Sequence, residues 1–147
     1  MVRISKRVEY ALVAIQHMSS NPRELVSARD LSARFSLPAN LMAKILQRLA
    51  SAGILTSAQG VHGGYRLVRD PNTMSFLELS EAVEGPMRPA SCDAGSADGC
   101  ERSEACTVAG PVHLLSERII GLLAETKIGS LLETAVPGGA TGEGVQT

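Results

Sequence analysis

The stretch from residue 27 to residue 69 constrains the possible folds more than any other part of the chain. Pro38 suits the first turn of a helix, and Gly53 lies where a left-handed C-terminal cap belongs. Between them, apolar side chains recur at helical spacing, namely Leu41, Ile45, Leu46 and Leu49. We therefore predict a helix over residues 38–52 with one apolar stripe.

A second, shorter helix is predicted immediately before that one. Ser27 and Asp30 have the spacing of a capping box, which starts a helix by satisfying its free N–H groups. The predicted helix covers residues 28–35, and the chain then turns through residues 36–38. Two helices joined by so short a turn form a helix-turn-helix.

A glycine-rich hairpin is predicted directly after the two helices. Residues 54–58 and 65–69 read as short strands, and the linker 59–64 contains three glycines that allow positive backbone angles at the tip. A helix-turn-helix followed by a β-hairpin predicts a winged helix.

Helices are also predicted on both sides of this unit. The first covers residues 5–19, and the fourth begins at the Ser75–Glu78 capping box and stops at Gly85. A long helix is predicted to begin at Pro111, with a seam of apolar side chains at Val112, Leu115, Ile119 and Leu122. A monomer would leave that seam partly uncovered.

The predicted fold is mainly α with a small β-hairpin: a winged helix-turn-helix plus a long C-terminal dimerisation helix. Ser130 and Glu133 are predicted to cap a short terminal turn after a break near Lys127. We predict four segments along the chain. They are a winged-helix DNA-binding domain (1–85), a cysteine-containing cluster-binding loop (86–110), a dimerisation helix with its terminal turn (111–134) and a disordered tail (135–147).

Charge is divided unevenly between the two halves of the chain. Residues 1–69 hold ten Lys and Arg against three Asp and Glu, whereas residues 70–147 hold four against twelve. A basic half beside an acidic half is typical of a DNA-facing module joined to a sensing or assembly region. Solvated surface charge and a protein-interaction winged helix are the alternatives.

The second helix of a helix-turn-helix lies in the major groove, so its polar face carries the candidate DNA contacts. The wing tip can approach the backbone or the minor groove. The predicted DNA-binding residues are Asn40, Lys44, Gln47, Arg48, His62, Gly63 and Gly64.

All three cysteines lie in the irregular segment 86–110, at Cys92, Cys100 and Cys106. No apolar run is long enough to span a bilayer and the N-terminus lacks a signal-peptide pattern, so we expect a cytoplasmic protein without membrane association. A reducing cytosol and an odd count disfavour disulfides, which leaves an iron-sulfur cluster, zinc or a thiol redox switch. An iron-sulfur cluster tolerates such wide spacing better than zinc does.

Several segments resemble the IscR, NsrR and RirA group of winged-helix iron-sulfur regulators over about residues 1–133. These segments read RISKRVEYAL, ILQRLASAGIL, GVHGGYRLVRDP and LSEAVEGP. Within the group, the chain most resembles regulators of SUF-type cluster assembly, on the segments GVHGGYRL, EAVEGP, CERSEAC and IGSLL. The resemblance implies a homodimer that binds a pseudo-palindromic operator in double-stranded DNA. It also implies a 2Fe-2S or 4Fe-4S cluster held by the three cysteines.

The fourth cluster ligand departs from the IscR pattern. That pattern places a His three residues after the last Cys, where this chain has Ala109. Glu9 matches the position of a carboxylate ligand in NsrR-like members, so the partner subunit's Glu9 is the leading candidate, ahead of His113 and solvent. The alternative is that Glu9 simply pairs with an arginine.

The resemblance favours a regulator that senses iron or redox status through its cluster and controls iron-sulfur assembly or related genes. A nitric oxide-sensing repressor would have the same architecture. A cluster-free regulator controlled by thiol redox or by a partner protein is the alternative from another class. No nucleophile motif, phosphate loop or acid/base pair indicates an enzyme.

Overall fold

A computed structural model describes residues 3–90 and 105–135 of the chain. It confirms a mostly helical fold with one two-stranded antiparallel hairpin. The elements in chain order are α1 (Lys6–Ser20), α2 (Ala28–Phe35), α3 (Ala39–Ser51), β1 (Leu55–Ala58), β2 (Gly64–Leu67), α4 (Phe76–Glu84), α5 (Ala109–Glu125) and α6 (Ile128–Glu133). All but the first residue of the predicted tail, together with most of the predicted cysteine loop, lies outside the described residues.

Local sequence explains where α2 begins and ends and how α3 leads into the hairpin. Ser27 and Asp30 form the complete capping box, and Ser36 ends α2 with a left-handed φ of 55°. Hydrogen bonding to the Ser27 hydroxyl and to its backbone N–H lowers the pKa of the Asp30 carboxyl below its usual value. Gly53, at φ 75°, follows the Ala52 cap of α3 and redirects the chain into the hairpin.

The buried face of α3 matches the predicted stripe at Ile45, Leu46 and Leu49 and differs at one position. Met42 is fully buried, whereas Leu41 is only half-buried. The side chains that α3 places in the core are Met42, Ile45, Leu46 and Leu49. They pack with buried residues of the other helices, including Ile15, Leu31, Leu79, Val83 and Ile128. Helix α3 is thus fixed on one side, and its opposite side faces solvent.

Pairing with the chain before α2 holds the hairpin against the helices. Leu55 pairs with Leu67 and Ala58 with Gly64 across the hairpin. The Tyr65 and Val26 backbones also exchange hydrogen bonds of 2.8 and 2.9 Å. A Cβ on Gly64 would lie 2.9 Å from the Val26 backbone, so glycine permits this close approach.

The C-terminal helices begin at positions that differ from those predicted. Helix α5 begins at Ala109 rather than at Pro111. Pro111 lies within the first turn, where a proline is tolerated because the N–H groups there lack intrahelical partners. Helix α6 begins at Ile128, with Lys127 as its cap and no side-chain cap, so the predicted Ser130 cap is wrong.

Backbone pairing with the residues before α4 explains the start of α6. The Phe76 N–H donates to the Thr126 carbonyl at 2.8 Å, and the Ile128 N–H donates to the Met74 carbonyl at 2.9 Å. The Ile128 side chain is fully buried. Within the described residues, no helix is long and apolar enough to cross a bilayer.

Replacing Ser75 with alanine is expected to lower the free energy of unfolding by about 1 kcal/mol. Ser75 is 5% exposed, and its hydroxyl accepts the Glu78 N–H at 3.1 Å to start α4. Chemical denaturation followed by circular dichroism measures the change. Ser130→Ala is the matched control, because Ser130 is an exposed serine inside α6 and should leave stability unchanged.

Acid should weaken the same capping box. The Ser75 backbone N–H, and then the Arg69 side chain, hold the pKa of the Glu78 carboxyl below its usual value of 4.5. A lowered folded-state pKa stabilises the fold above the unfolded-state pKa, and this contribution is lost as pH falls through the folded-state value.

Equal stability of Ser75→Ala and wild type at neutral pH would contradict the assigned role of the cap.

Candidate nucleic-acid interface and metal-ligand residues

The outer face of α3 is polar and exposed over its whole length. Its side chains lie opposite the buried face at spacings of three and four residues and comprise Asn40, Lys44, Gln47, Arg48 and Ser51. Amide, hydroxyl and cationic groups arranged in this way can donate to phosphates and to base edges. The structure thus brings four predicted DNA-binding residues onto one helical face.

The wing tip exposes only some of the residues predicted there. His62 is exposed and Val61 is 98% exposed, whereas Gly63 and Gly64 are half-buried. A Cβ on Gly63 would lie 2.3 Å from the Ala58 carbonyl oxygen, so glycine is required for the fold of the tip itself. The two glycines therefore have a steric role that the sequence analysis did not recognise.

A basic side chain on the wing was also missed. Arg66 on β2 is exposed and pairs across the hairpin with the exposed Thr56. Its neighbours Tyr65 and Leu67 face the core, so alternation along the strand places the guanidinium outward. That alternation was the sequence signal for this further candidate phosphate contact.

Arg48 differs from the other outward residues of α3, because it also contacts α4. Its Nη1 group donates a hydrogen bond to the Val83 carbonyl in the last turn of α4. The side chain stays exposed, and a guanidinium has five N–H donors, so other donors are left for a phosphate. Arg48 therefore joins the exposed face of α3 to the end of α4.

The end of α4 also contacts the start of α1. The Glu84 carboxylate accepts a hydrogen bond from the Ser5 hydroxyl and lies 3.7 Å from the Arg7 guanidinium, measured from Oε2 to Nη1. A small pocket of about 130 Å³ opens beside it, and three cationic side chains line this pocket: Arg7, Lys44 and Arg48. Positive charge is thus concentrated where α1, α3 and α4 meet.

Of the three cysteines, Cys106 lies within the described residues and Cys92 and Cys100 do not. Cys106 is half-buried, unpaired and three residues ahead of α5. No group of three His, Cys, Asp or Glu side chains that could hold a metal ion occurs within residues 3–90 and 105–135. The described donor fits iron-sulfur ligation in type, since such clusters are held by cysteine thiolates.

The two candidates for a fourth ligand both lie on helical surfaces. Glu9 is in the first turn of α1, where its Oε2 accepts from the Lys6 Nζ at 2.7 Å. This hydrogen bond and the carboxylate charge raise the pKa of Lys6. His113 is on α5, where its Nε2 lies 3.4 Å from the Glu117 Oε1. Within this chain Glu9 contacts a basic side chain, a lysine rather than the arginine first considered.

Helix α5 carries apolar side chains that the described chain leaves uncovered. Its inner side packs against α4 and the core through residues such as Leu123, and Ser116 is buried. Its outer side leaves Leu114 48%, Leu115 58% and Leu122 65% exposed, and Val108 just before the helix is 55% exposed. Such a row of exposed apolar groups is typical of a surface that another chain covers.

A helix-turn-helix with an outward polar face on its second helix, followed by an exposed hairpin, defines a winged-helix DNA-binding regulator. Residues 4–134 match the family model described as Rrf2, iron-dependent transcriptional regulator. The chain belongs to the Rrf2 family of transcriptional regulators. Its relatives are regulators of the helix-turn-helix type rather than enzymes.

Two curated relatives are similar over most of the chain. A putative rrf2-like transcriptional regulator of Rhodobacter capsulatus is 29% identical over 113 residues, covering 71% of this chain and 75% of the relative. The transcriptional regulator IscR of Photobacterium profundum is 29% identical over 132 residues, covering 89% and 76%. Similarity thus extends through the cysteine segment in the second case.

Two solved structures share the fold at lower identity. CymR, the global cysteine regulator of B. subtilis, superimposes with a TM-score of 0.69 at 18% identity, covering 92% of this chain and all of that one. The IscR of T. potens gives 0.65 at 18% identity, covering 93% and 94%. At these identities the likeness supports the fold and leaves function to other observations.

Proposed function

We propose that this protein is a homodimeric transcription regulator whose occupancy of DNA depends on an iron-sulfur cluster. The observation that carries the proposal is the position of the cysteine segment in the chain. It follows α4, whose end contacts α3 through Arg48, and its last cysteine, Cys106, precedes the exposed apolar helix α5. A group bound in this segment would be connected through α4 and Arg48 to the DNA-reading helix, and along the chain to the proposed dimer surface.

The proposed DNA contacts are the exposed polar groups of α3 and the wing, in double-stranded DNA with two half-sites. Asn40 and Gln47 are assigned to base edges, Lys44 and Arg48 to phosphates, and His62 at the wing tip to the backbone or minor groove. A homodimer places two copies of α3 about one helical turn, or ~34 Å, apart, which implies a pseudo-palindromic operator. The proposed site of action is the cytoplasm.

The proposed cluster ligands are Cys92, Cys100 and Cys106, with the partner subunit's Glu9 as the fourth and His113 as the alternative. A carboxylate is a harder ligand than a thiolate and makes one iron easier to exchange. A bound cluster would be a group that oxygen, nitric oxide or iron scarcity can change or remove. Sensing of iron or redox status, with control of iron-sulfur assembly genes, is the favoured role, and nitric oxide sensing is the alternative.

Iron, acid-labile sulfide and zinc content of protein purified without oxygen, together with a visible absorption spectrum, tests the proposal. Iron with matching sulfide and a chromophore that bleaches in air or nitric oxide supports it and ranks the signals. DNA retention is measured on the same samples with a duplex enriched from a random-sequence library. A zinc-loaded or iron-free dimer that still binds DNA would instead indicate a regulator controlled by thiol redox or by a partner protein.

Glu9→Ala is expected to accelerate cluster loss in air by roughly 10-fold while most of the cluster still assembles, because three thiolates remain. The decay of the visible absorption measures the rate. Lys6→Ala is the matched control, since it removes the 2.7 Å partner of Glu9 and leaves the carboxylate in place. If Glu9→Ala and wild type lose the chromophore at the same rate, Glu9 is a structural residue and His113 becomes the next candidate to test.

A further inference from the structure

The end of α4 is the point where the DNA-reading helix, the N-terminal helix and the start of the cysteine segment meet. Arg48 of α3 donates to the Val83 carbonyl, and Glu84 contacts both Ser5 and Arg7 at the start of α1. The Met87 N–H donates to the Glu81 carboxylate at 3.1 Å, which ties the outgoing chain to the same helix. Movement at this end of α4 therefore reaches α3 through the Arg48 hydrogen bond as well as through the packed core.

Gly85 is the residue at which the chain turns at this junction, and it is the candidate hinge. Its backbone has φ 89° and ψ −175°, a conformation that is essentially restricted to glycine. No atom lies within 4 Å of the position that a Cβ would occupy there, so the glycine is needed for its backbone angles rather than for space. At Gly85 the chain thus leaves α4 toward the segment that leads to the cysteines, with a backbone conformation that requires glycine.

Packing around the end of α4 is also incomplete. A pocket of about 290 Å³ lies on one side, between Ile4, Phe76 and Met87, and the basic pocket of about 130 Å³ lies on the other. The Ser80 hydroxyl is buried without a hydrogen-bond partner among the described residues. Ser80 lines the larger pocket, and the two pockets leave space beside the end of α4 for a second arrangement.

From the hinge, the two pockets and the Arg48–Val83 hydrogen bond, we infer that Arg48 couples the state of the cysteine segment to DNA binding. One N–H of its guanidinium follows the Val83 carbonyl while the others contact a phosphate, so the position of α4 decides whether the phosphate contact forms. The inference rests on the proposed function and names the residue through which its regulation passes. Arg48 is thus a positioning residue as well as a DNA contact.

The test compares iron-loaded and iron-free protein for binding to a duplex enriched from a random-sequence library. The wild-type dissociation constants of the two states should differ by roughly 5- to 150-fold, the usual range for coupled sites. Arg48→Lys keeps the charge but not the planar fork of the guanidinium. It should therefore retain the dependence of DNA binding on salt, whereas the ratio between the dissociation constants of the two states should fall toward one. Arg48→Ala should lower both the ratio and the dependence on salt.

Two further variants separate coupling from simple DNA contact. Lys44→Ala should weaken binding equally in both states and reduce the salt dependence by about one phosphate contact, with the wild-type ratio retained. Gly85→Ala changes a residue that is not itself a proposed DNA contact, and it should reduce the ratio while the salt dependence is kept.

Retention of the wild-type ratio by both Arg48 variants would overturn the inference. A wild-type ratio of one in protein with verified iron would contradict the proposed function itself, because the occupancy of DNA would then not depend on the cluster. Wild-type protein that binds no DNA, or that contains neither iron nor sulfide, would also contradict the proposed function.

Discussion

Cys106→Ala protein, purified without oxygen, is expected to contain at least roughly tenfold less iron and sulfide than wild type, because losing even an indirect ligand contact costs 10- to 100-fold in metal affinity. The substitution removes one of three proposed thiolate ligands and cannot be compensated by a neighbour of the same chemistry within the described residues. Metal analysis and the visible spectrum measure the loss.

The fold should survive this substitution. Cys106 is half-buried and precedes α5, so it contributes little to the core formed by α1, α3 and α4. Thr107→Ala, at the adjacent exposed position, is the matched control and should keep the cluster. Full iron and sulfide in Cys106→Ala would remove Cys106 from the ligand set, and loss of colour in both variants would indicate damage to the segment rather than to a ligand.

Leu122→Glu is expected to convert the dimer to a monomer at working concentrations. Leu122 is 65% exposed on α5 in the single chain, so a charge there should not disturb the monomer. Burial of a leucine in an interface contributes roughly 1.5–3 kcal/mol, and each residue of a symmetric dimer counts twice. The dimer dissociation constant should therefore rise at least about a hundredfold.

Analytical ultracentrifugation over a dilution series measures this dissociation. DNA binding should fall with it, because a monomer engages only one half-site. Val68→Glu is the matched control, since Val68 is a similarly exposed apolar residue, 55% exposed, that lies outside α5. A Leu122→Glu protein that remains a dimer would show that the exposed face of α5 is not the interface, whereas dissociation of both variants would indicate a general effect of added charge.

The DNA-reading unit could be predicted from sequence because its signals are local. The Ser27–Asp30 capping box and the Gly53 turn both act within a few residues of themselves. Helix α2 consequently has its predicted bounds. The outward face of α3 followed from the same periodicity, although the buried stripe is centred on Met42 rather than Leu41.

The contacts at the site were less predictable. Arg48 looked like any other outward basic residue until the structure placed its guanidinium against the Val83 carbonyl, 35 residues along the chain. Gly63 and Gly64 were selected as DNA contacts, whereas the structure also gives them steric roles against Ala58 and Val26. No local pattern carries such information, because each contact depends on a partner brought close by folding.

Caps, turns and periodicity are properties of neighbouring residues, so the helix-turn-helix, the wing, the uneven charge and the clustered cysteines could be predicted before the fold was known. The start of α6 and the groups that meet at the end of α4 depend on tertiary contacts. Helix α6 starts at Ile128 because a backbone hydrogen bond to Met74, more than fifty residues away in the chain, and the burial of the Ile128 side chain fix it there. Long-range pairing of this kind outweighs a local capping preference worth about 1 kcal/mol.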